Sequence, residues 1–362
     1  MDNQILYRIV SHFQIDGEPA TICPFGSGLI NDTYRVSMAE TSKPDYVLQR
    51  INHQVFQDVD LLQHNIEVVT NHIRQKLVQR GETDLDRKVL RFLKADNGKS
   101  YYFEDNKYWR MSVLIPRSFT HYEVTPSYSY EAGVAFGDFE SMLIDLPETL
   151  GETIPDFHNM ELRLRQLSES VSRDAVGRCT EVSSELEYIS RYASEMCMAE
   201  WLFREGKLPK RICHCDTKVN NMLFDENGKV LCVIDLDTVM PSFIFSDYGD
   251  FLRTAANTVA EDAPEFEQIE FRNDIFQAFT EGYLSSTNHF LSPLEIELLP
   301  YAVGLFPMMQ AVRFLADYLN GDTYYKINYP QHNLVRARNQ LHFFRRIKEQ
   351  EPEIRKYIEQ WH

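Results

Sequence analysis

The sequence lacks the features of an exported or membrane-embedded protein. It begins Met1–Gln4 without a basic segment followed by an apolar one, so no signal peptide is visible. No apolar run approaches the roughly 20 residues that a membrane-spanning helix needs. The six cysteines follow no disulfide or zinc-ligand spacing, which predicts reduced thiols. We therefore expect a cytoplasmic protein with no membrane partner.

Positive charge is scarce. The 362 residues include 37 Lys and Arg against 54 Asp and Glu, which gives a net charge of −17. Binding to nucleic acid requires clustered Lys and Arg, and no such cluster is evident, so no nucleic-acid partner is expected. The acidic surplus favours solubility and is compatible with a cationic small-molecule substrate. The sequence does not indicate the oligomeric state.

The chain is long for a single hydrophobic core, which predicts two lobes. In the first third, short apolar segments such as Val89–Leu93 predict strands, and Asp60–Leu77 has the apolar spacing of a helix. In the remaining two thirds helical periodicity dominates, as in Pro293–Leu319. We therefore predict an α+β fold: a small, mostly β lobe at residues 1–115 and a larger, mostly helical lobe at residues 116–362. A ligand site is expected in the cleft between such lobes.

One segment has the residue order that phosphoryl transfer from a nucleotide requires. His214–Asn221 and the following Asp235 match the pattern H-x-D-x-x-x-x-N with a second Asp beyond it. Asp216 could accept the proton of an attacking hydroxyl, while Asn221 and Asp235 offer oxygen ligands to Mg²⁺. Apolar runs on both sides of Asp225–Lys229 predict a hairpin between Asn221 and Asp235. The alternative is an ordinary polar loop before a hairpin, with Asp235 as a turn residue.

Two further features fit nucleotide binding less specifically. Gly26, Ser27 and Gly28 lie between two predicted strands, where backbone N–H groups could approach triphosphate oxygens. Glycines between strands more often form simple hairpins. Glu67, on the predicted helix, could pair with a basic residue on the third strand, or it could be a solvated surface residue.

Together these segments resemble a phosphotransferase family that includes aminoglycoside, choline and homoserine kinases, all with a protein-kinase-like fold. The resemblance covers nearly the whole chain and is greatest to the members that phosphorylate N-acetylhexosamines at the anomeric position. The matching segments are Gly26–Tyr34, Tyr46–Asn52, Asp216–Asn221, Ile234–Pro241, Asp247–Asp250, Arg313–Leu319 and Gly321–Tyr324. The last two lie outside the generic kinase core, which makes the match more specific than the catalytic motif alone.

The resemblance implies ATP-dependent phosphorylation of the anomeric hydroxyl of N-acetylglucosamine or N-acetylgalactosamine. Asp216 would be the catalytic base, Asn221 and Asp235 would hold Mg²⁺, and adenine would lie near Ile115. The sugar would be contacted by residues that match family positions facing it, namely Arg313, Tyr324 and Asp250. Two of these have structural alternatives: Asp250 could anchor the catalytic loop, and Arg313 could form an ion pair with Asp317 along one helix.

Two residues depart from the family pattern. Gln49 occupies the third-strand position where the kinase template has Lys. The missing positive charge would then come from the adjacent Arg50, from Lys218 or from metal ions. Leu29 stands where a relative has His, which leaves the sugar preference open.

Two other functions are compatible with the sequence. A kinase of a cationic small molecule, such as an aminoglycoside or amino alcohol, would agree with the acidic composition. A catalytically inert nucleotide-binding module is also possible, although retention of Asp216, Asn221 and Asp235 argues against inertness, because a binding protein needs no base.

Overall fold

The computed structural model describes residues 3–26, 28 and 30–361. The helices are α1 (Asn3–Val10), α2 (Val59–Gln79), α3 (Leu85–Lys88), α4 (Pro126–Met142), α5 (Met160–Arg173), α6 (Ser183–Met196), α7 (Met198–Arg204), α8 (Phe245–Ala255), α9 (Asn273–Thr287), α10 (Pro293–Glu297), α11 (Leu299–Leu319) and α12 (His332–Ile358). The strands are β1 (Pro19–Pro24), β2 (Asp32–Met38), β3 (Tyr46–Ile51), β4 (Tyr102–Glu104), β5 (Lys107–Val113), β6 (Arg211–Cys213), β7 (Met222–Phe224), β8 (Val230–Val233) and β9 (Met240–Ser242).

These elements form two compact units, each built from several stretches of chain. The sheet unit comprises Met1–Thr120, Met142–Pro155 and Met222–Met240. The helical unit comprises His121–Ser141, Asp156–Asn221 and Pro241–His362. The predicted boundary between residues 115 and 116 divides the chain once, whereas the chain passes repeatedly between the two units. The predicted α+β class is confirmed.

The sheet unit is built on an antiparallel sheet with strand order β1-β2-β3-β5-β4. Its register places Gln49 of β3 opposite Arg110 of β5. Val89–Leu93, predicted as a strand, is not one: Val89 ends α3, and the segment joins β5 only through an isolated bridge between Phe92 and Ser112. Val89 and Leu93 are buried, and Leu93 packs in the core cluster against residues of the sheet without the segment being a strand within it.

Helix α2, in the first stretch of the sheet unit, is hydrogen-bonded to the two stretches of the unit that follow later in the chain. Asp58 caps its first turn by accepting a hydrogen bond from the Leu61 amide. In its middle, fully buried Asn65 donates through Nδ2 to the carbonyls of Gly151 (2.8 Å) and Val239 (3.0 Å). One carboxamide therefore satisfies backbone groups from two distant segments.

The predicted hairpin is present in the sheet unit. Strands β7 and β8 pair antiparallel with Met222 opposite Val233. Gly228 has a positive φ of 78°, and Asp225 Oδ1 accepts hydrogen bonds from the amides of Asn227 and Lys229. The turn forms where the Asn-Gly step predicts it.

The core of the helical unit is α11, which contacts α12, α8 and α5. Its sequence is long and apolar enough to cross a membrane by length and composition, with a mean hydropathy of 1.2. Sequence inspection missed this because Arg313 and Asp317 interrupt the apolar run. In the structure 89% of that apolar window is buried within the protein, as in the central helix of a folded core.

Candidate active site

The loop that carries Asp216 is held by the first turn of α8. Asp247, which is fully buried, accepts hydrogen bonds from the amides of His214 and Cys215, both at 2.7 Å. The Thr217 hydroxyl donates to the Asp247 carbonyl at 2.8 Å. Cys215 has a positive φ of 63°, a conformation that costs energy for a residue other than glycine and that these hydrogen bonds stabilise. Hydrogen bonds to Asp247 thus hold the residues immediately before and immediately after Asp216.

Asp216 lies in a polar cluster with two other residues of the predicted motif. The Lys218 Nζ is 2.5 Å from Asp216 Oδ1, and Asn221 Nδ2 donates to Asp216 Oδ2 at 3.1 Å. Burial raises the pKa of Asp216, but the Lys218 ammonium and the Asn221 amide lower it more, so the net pKa lies below its ordinary value. The carboxylate is therefore ionised at neutral pH, and 27% of the side chain remains exposed.

Asp250 lies close to this cluster, but its carboxylate is already paired with an arginine. Its Oδ1 accepts from Arg253 Nε at 2.8 Å, and Arg253 also pairs with Glu261. Burial raises the pKa of Asp250, and the nearby Asp216 carboxylate raises it further, against the effect of Arg253. Burial acts to lower the pKa of Lys218, whereas the Asp216 and Asp250 carboxylates outweigh it and raise that pKa. Asp250 thus contributes to the electrostatics around the predicted base.

Arg313 does not form the ion pair with Asp317 that was one alternative for it. The Asp317 carboxylate instead accepts hydrogen bonds from the amides of Thr323, Tyr324 and Tyr325, because it caps the loop after α11. The Arg313 guanidinium lies over the rings of Phe157 (5.4 Å) and Tyr325 (5.6 Å) and donates through Nη1 to Gln310. In the described part of the chain Arg313 has no carboxylate within ion-pair distance. Tyr324 is 65% exposed, beside the Tyr325 ring.

Sequence reasoning missed a second arginine beside Arg313. Arg163 of α5 donates through Nη2 to the carbonyls of Asp156 and Phe157, while its buried Nε has no hydrogen-bond partner among the residues described. Burial lowers the pKa of Arg163 to about 10, and the charge of Arg313 contributes. No motif marks Arg163, because it occupies an unremarkable position in an amphipathic helix.

His158 is buried within electrostatic range of both arginines and of Arg253. Its Nδ1 is 3.0 Å from the Ser246 hydroxyl. Burial lowers the pKa of His158 well below its ordinary value, and the charges of Arg313, Arg163 and Arg253 lower it further. Arg253 is the partner of Asp250, so the arginines belong to the same electrostatic neighbourhood as the catalytic loop.

In the sheet unit, the predicted glycine turn joins β1 and β2. Gly26 has a positive φ of 75°, and a Cβ built on it would meet none of the described residues within 4 Å. A ligand could therefore approach the backbone of Gly26 closely as far as these residues are concerned. Ser27, a predicted nucleotide contact, and Leu29 lie outside the described residues.

The positive charge beside Gln49 comes from Arg110, which sequence reasoning did not select. Gln49 Oε1 accepts from Arg110 Nε at 2.9 Å, and Arg110 forms a buried ion pair with Asp237. Arg50, the predicted substitute for the strand lysine, pairs instead with Asp32 on β2, because its side chain lies on the other face of the strand. Arg110 could have been found from the strand register, which places it opposite Gln49.

Three other predicted residues also lie in the sheet unit. Glu67 pairs with Lys94, in the segment after α3, and not with a residue of the third strand; both side chains are solvent-accessible, which agrees with the alternative of a solvated surface residue. Ile115 is buried directly after β5, and its carbonyl accepts from the Ser118 hydroxyl. Asp235 follows the hairpin with a positive φ of 61° and begins a single 3₁₀ turn, Leu236–Thr238.

Comparison with known proteins agrees with this arrangement. Residues 21–286 match the model of the phosphotransferase enzyme family, APH. An aminoglycoside phosphotransferase from Alicyclobacillus acidocaldarius has a similar structure at 13% identity, with 96% of each chain covered and a TM-score of 0.61. An amicoumacin kinase solved with AMP-PNP and Ca²⁺ has 14% identity, covering 94% of this chain and 93% of its own, with a TM-score of 0.59. A choline/ethanolamine kinase family protein from Mesorhizobium loti has 14% identity, covering 94% and 92%, with a TM-score of 0.55.

The fold and the loop around Asp216 define a small-molecule phosphotransferase with a protein-kinase-like fold, which transfers a phosphoryl group to a hydroxyl acceptor. The chain belongs to the phosphotransferase enzyme family, whose model covers most of its length.

Proposed function

We propose that this phosphotransferase transfers the γ-phosphoryl group of ATP, with Mg²⁺, to the anomeric hydroxyl of an N-acetylhexosamine. The product is the sugar 1-phosphate. The observation that carries the choice of acceptor is the pair of arginines, Arg163 and Arg313, which lack carboxylate partners in the described chain.

Asp216 is the proposed base. Its lowered pKa keeps it ionised, so it can accept the proton of the anomeric hydroxyl as that oxygen attacks the γ-phosphorus. The bond from phosphorus to the bridging oxygen of ADP breaks as the new one forms. Asn221 orients the carboxylate by donating to Oδ2, and Lys218 contacts Oδ1. This leaves one carboxylate in a fixed orientation with part of its surface open to an acceptor.

The proposed metal ligands have the chemistry that Mg²⁺ prefers. The Asn221 amide nitrogen is committed to Asp216, so its oxygen is the atom left for a metal. Asp235 would supply a carboxylate oxygen, and hard oxygen donors suit Mg²⁺. When bound, the metal would neutralise charge on the phosphates. Gly26, Gly28 and Ile115 are the proposed nucleotide contacts in the sheet unit.

The arginines favour a neutral, oxygen-rich acceptor over a cationic one. A positively charged aminoglycoside or amino alcohol would be repelled by two guanidinium groups that form no ion pair among the described residues, with only the Asp156 carboxylate offsetting part of the charge of Arg163. Aromatic rings can recognise ammonium groups, but the faces of Phe157 and Tyr325 are already covered by Arg313. Sugar hydroxyls and an acetamido carbonyl, in contrast, accept hydrogen bonds from guanidinium N–H groups. The unpartnered Arg163 Nε is one donor for such a contact.

An acceptor screen tests the proposal. The purified protein is incubated with γ-labelled ATP and Mg²⁺ and with N-acetylglucosamine, N-acetylgalactosamine, glucose, choline or kanamycin. We expect label in an N-acetylhexosamine, in a product that mild acid hydrolyses, because anomeric phosphates are acid-labile and ordinary phosphate esters are not. The methyl glycoside of the same sugar has no free anomeric hydroxyl and should remain unlabelled.

The Asp216→Asn variant provides the control for catalysis. It keeps the shape of the side chain but cannot accept a proton, so transfer should fall by roughly 10²-fold or more while ATP binding persists. Asp86→Asn, which changes an exposed carboxylate in the same way, should transfer normally. Preferred labelling of choline, kanamycin or the methyl glycoside would overturn the acceptor assignment.

A further inference from the structure

Two acidic side chains share a buried site beneath the catalytic loop. Glu140 of α4 is 2% exposed and Asp247 of α8 is 0% exposed. Oxygen atoms of the two carboxyl groups lie within 4.8 Å of each other. Two carboxylates this close together and away from water cannot both be ionised, so one of them keeps a proton.

Among the residues that the structure describes, no cation forms an ion pair with Glu140 to offset a charge on it. The Tyr283 hydroxyl of α9 donates to Glu140 Oε2 at 2.6 Å, and Oε1 has no donor among the residues described. The guanidinium of Arg211, which interacts electrostatically with Glu140, is committed to Glu295 through two hydrogen bonds, at 2.6 and 2.8 Å. The titratable and charged groups around Glu140 are Asp247 on α8, Tyr283 on α9, Glu295 on α10, and Arg211, Cys213, His214 and Cys215 on β6 and the loop after it.

Of the two carboxyl groups, that of Asp247 is the one stabilised more strongly in its ionised form. Both of its oxygens accept hydrogen bonds from loop amides, those of His214 and Cys215. An ionised acceptor makes such bonds about twice as strong as a neutral one. The proton therefore resides on Glu140, which can donate it to Asp247 while accepting from Tyr283.

We propose that Glu140 is a positioning residue for the catalytic loop: it is protonated in the folded protein, donates to Asp247, and so orients the carboxylate that holds the peptide groups before Asp216. The kinetic consequence rests on the proposed role of Asp216 as the base. The protonation of Glu140 does not depend on that role.

The pH dependence of stability follows from this arrangement. Burial raises the pKa of Glu140 well above its ordinary 4.5, and the charge of Asp247 adds to the effect. The folded state therefore keeps a proton that the unfolded chain releases above about pH 4.5. The stabilisation is full below that pH and is lost progressively as the pH rises towards the folded-state pKa. Glu140→Gln, which carries a permanent N–H donor, has no such loss.

A metal ion is the competing occupant of this site. Glu140, Asp247 and Cys213 offer ligand atoms that lie within 4.8 Å of one another. Burial raises the pKa of the Cys213 thiol well above its ordinary value, and its Sγ faces the carbonyl of Phe243 at 3.4 Å as a donor would. A protonated thiol is not a metal ligand. Because the site offers only three ligand atoms, and one of them belongs to a protonated thiol, we infer that a proton rather than a metal ion lies between the two carboxyl groups.

The first arm of the test measures melting temperature against pH for the parent, Glu140→Gln and Glu131→Gln, a control on the same helix. From about pH 5 to about pH 9 the parent should lose stability relative to Glu140→Gln, and the control should follow the parent. Parallel curves for the parent and Glu140→Gln would overturn the proposal, as would one equivalent of bound metal in the purified protein. This arm needs no acceptor.

The second arm measures kinetics with whichever acceptor the screen identifies. Glu140→Gln should keep kcat within about threefold of the parent, whereas Glu140→Ala should lower kcat by roughly 10-fold or more with little change in either KM. Tyr283→Phe provides a milder variant if Glu140→Ala does not fold. Normal kcat in folded Glu140→Ala would contradict the positioning role. If the screen finds no acceptor, the proposed function fails and the first arm still decides the protonation of Glu140.

Discussion

A guanidinium group without a carboxylate partner is costly to keep away from water, so its presence in a folded protein calls for a reason. Arg163 and Arg313 are only partly exposed and form no ion pair with a carboxylate among the described residues, and each lowers the pKa of the same histidine, His158. Residues that only stabilise the fold would have acquired acidic partners, as Arg253 has with Asp250 and Glu261. The two arginines are therefore better explained by a ligand that supplies the missing acceptors.

The first residue-scale prediction is that Arg163→Gln lowers kcat/KM for the N-acetylhexosamine by roughly 10-fold or more, because a charge-assisted hydrogen bond to the acceptor is lost. The KM for ATP should change little. Steady-state kinetics with each substrate varied in turn measures both effects.

Arg165→Gln is the matched control, since Arg165 lies on the same helix and is exposed. Arg165→Gln should leave both kcat/KM for the N-acetylhexosamine and the KM for ATP unchanged. An Arg163→Gln variant with parental kinetics and a lower melting temperature would show that Arg163 only supports the fold.

At this scale the sequence predicted the residues that are close together along the chain. Asp216, Lys218 and Asn221 lie within six residues, so a motif can describe them, and the structure places their side chains in contact. Arg163 and Arg110 could not be found in this way. Each meets its neighbours only through folding, and an arginine in a helix or strand carries no local signature.

Among the elements, α4 and α9 approach each other closely at glycines. A Cβ on Gly282 would lie 2.1 Å from the Tyr130 carbonyl oxygen, and one on Gly133 would lie 2.3 Å from the Phe279 carbonyl oxygen. Both obstacles are backbone atoms, which cannot rotate away. The close crossing also brings Tyr283 of α9 to Glu140 of α4.

We predict that Gly282→Ala destabilises the protein by about 1–3 kcal/mol or more, because the helices must separate to admit one methyl group. Gly304→Ala is the control: a Cβ there would meet only the ring of Phe344, at 3.1 Å, and a side chain can move. Chemical denaturation of both variants measures the difference. Equal stabilities would mean that the α4–α9 contact is looser than described.

The sequence predicted these elements unevenly. Helices with clear apolar periodicity, such as α2, occur where expected, because burial of one face decides their structure. Val89–Leu93 has the composition of a strand but lacks a strand's pairing, which depends on the rest of the sheet. The glycines of α4 and α9 disfavour a helix locally, and only the crossing explains them.

The stability of the whole molecule depends on pH through every group whose pKa changes on folding. His158 acts in the direction opposite to Glu140. Burial and the surrounding arginines lower the pKa of His158 well below 6.5, so the folded state leaves it neutral. The unfolded chain takes up a proton as the pH falls below 6.5, and the stabilisation present above that pH is lost on acidification.

We therefore predict that the parent loses stability relative to His158→Gln as the pH falls from about 7 to about 5. Melting temperatures measured across this range test the prediction. His64→Gln removes an exposed histidine and shows how much of the effect comes from the loss of any histidine. A constant difference between the parent and His158→Gln would mean that His158 takes up its proton over the same pH range in the folded and the unfolded protein.

The interleaving of the two units also has a consequence for how the protein is made. A ribosome delivers the chain from its N-terminus, yet Asn65 of α2 requires carbonyls at Gly151 and Val239. The sheet unit is therefore incomplete when Thr120 emerges, and it remains so while Asp156–Asn221, which belongs to the helical unit, is synthesised. During that interval Asn65 lacks one of its two carbonyl partners, and the apolar surface that the last stretch of the unit covers is still exposed. The order of translation thus delays completion of the first unit until much of the second is already available, and the nascent protein passes through a stage in which chaperones can bind it.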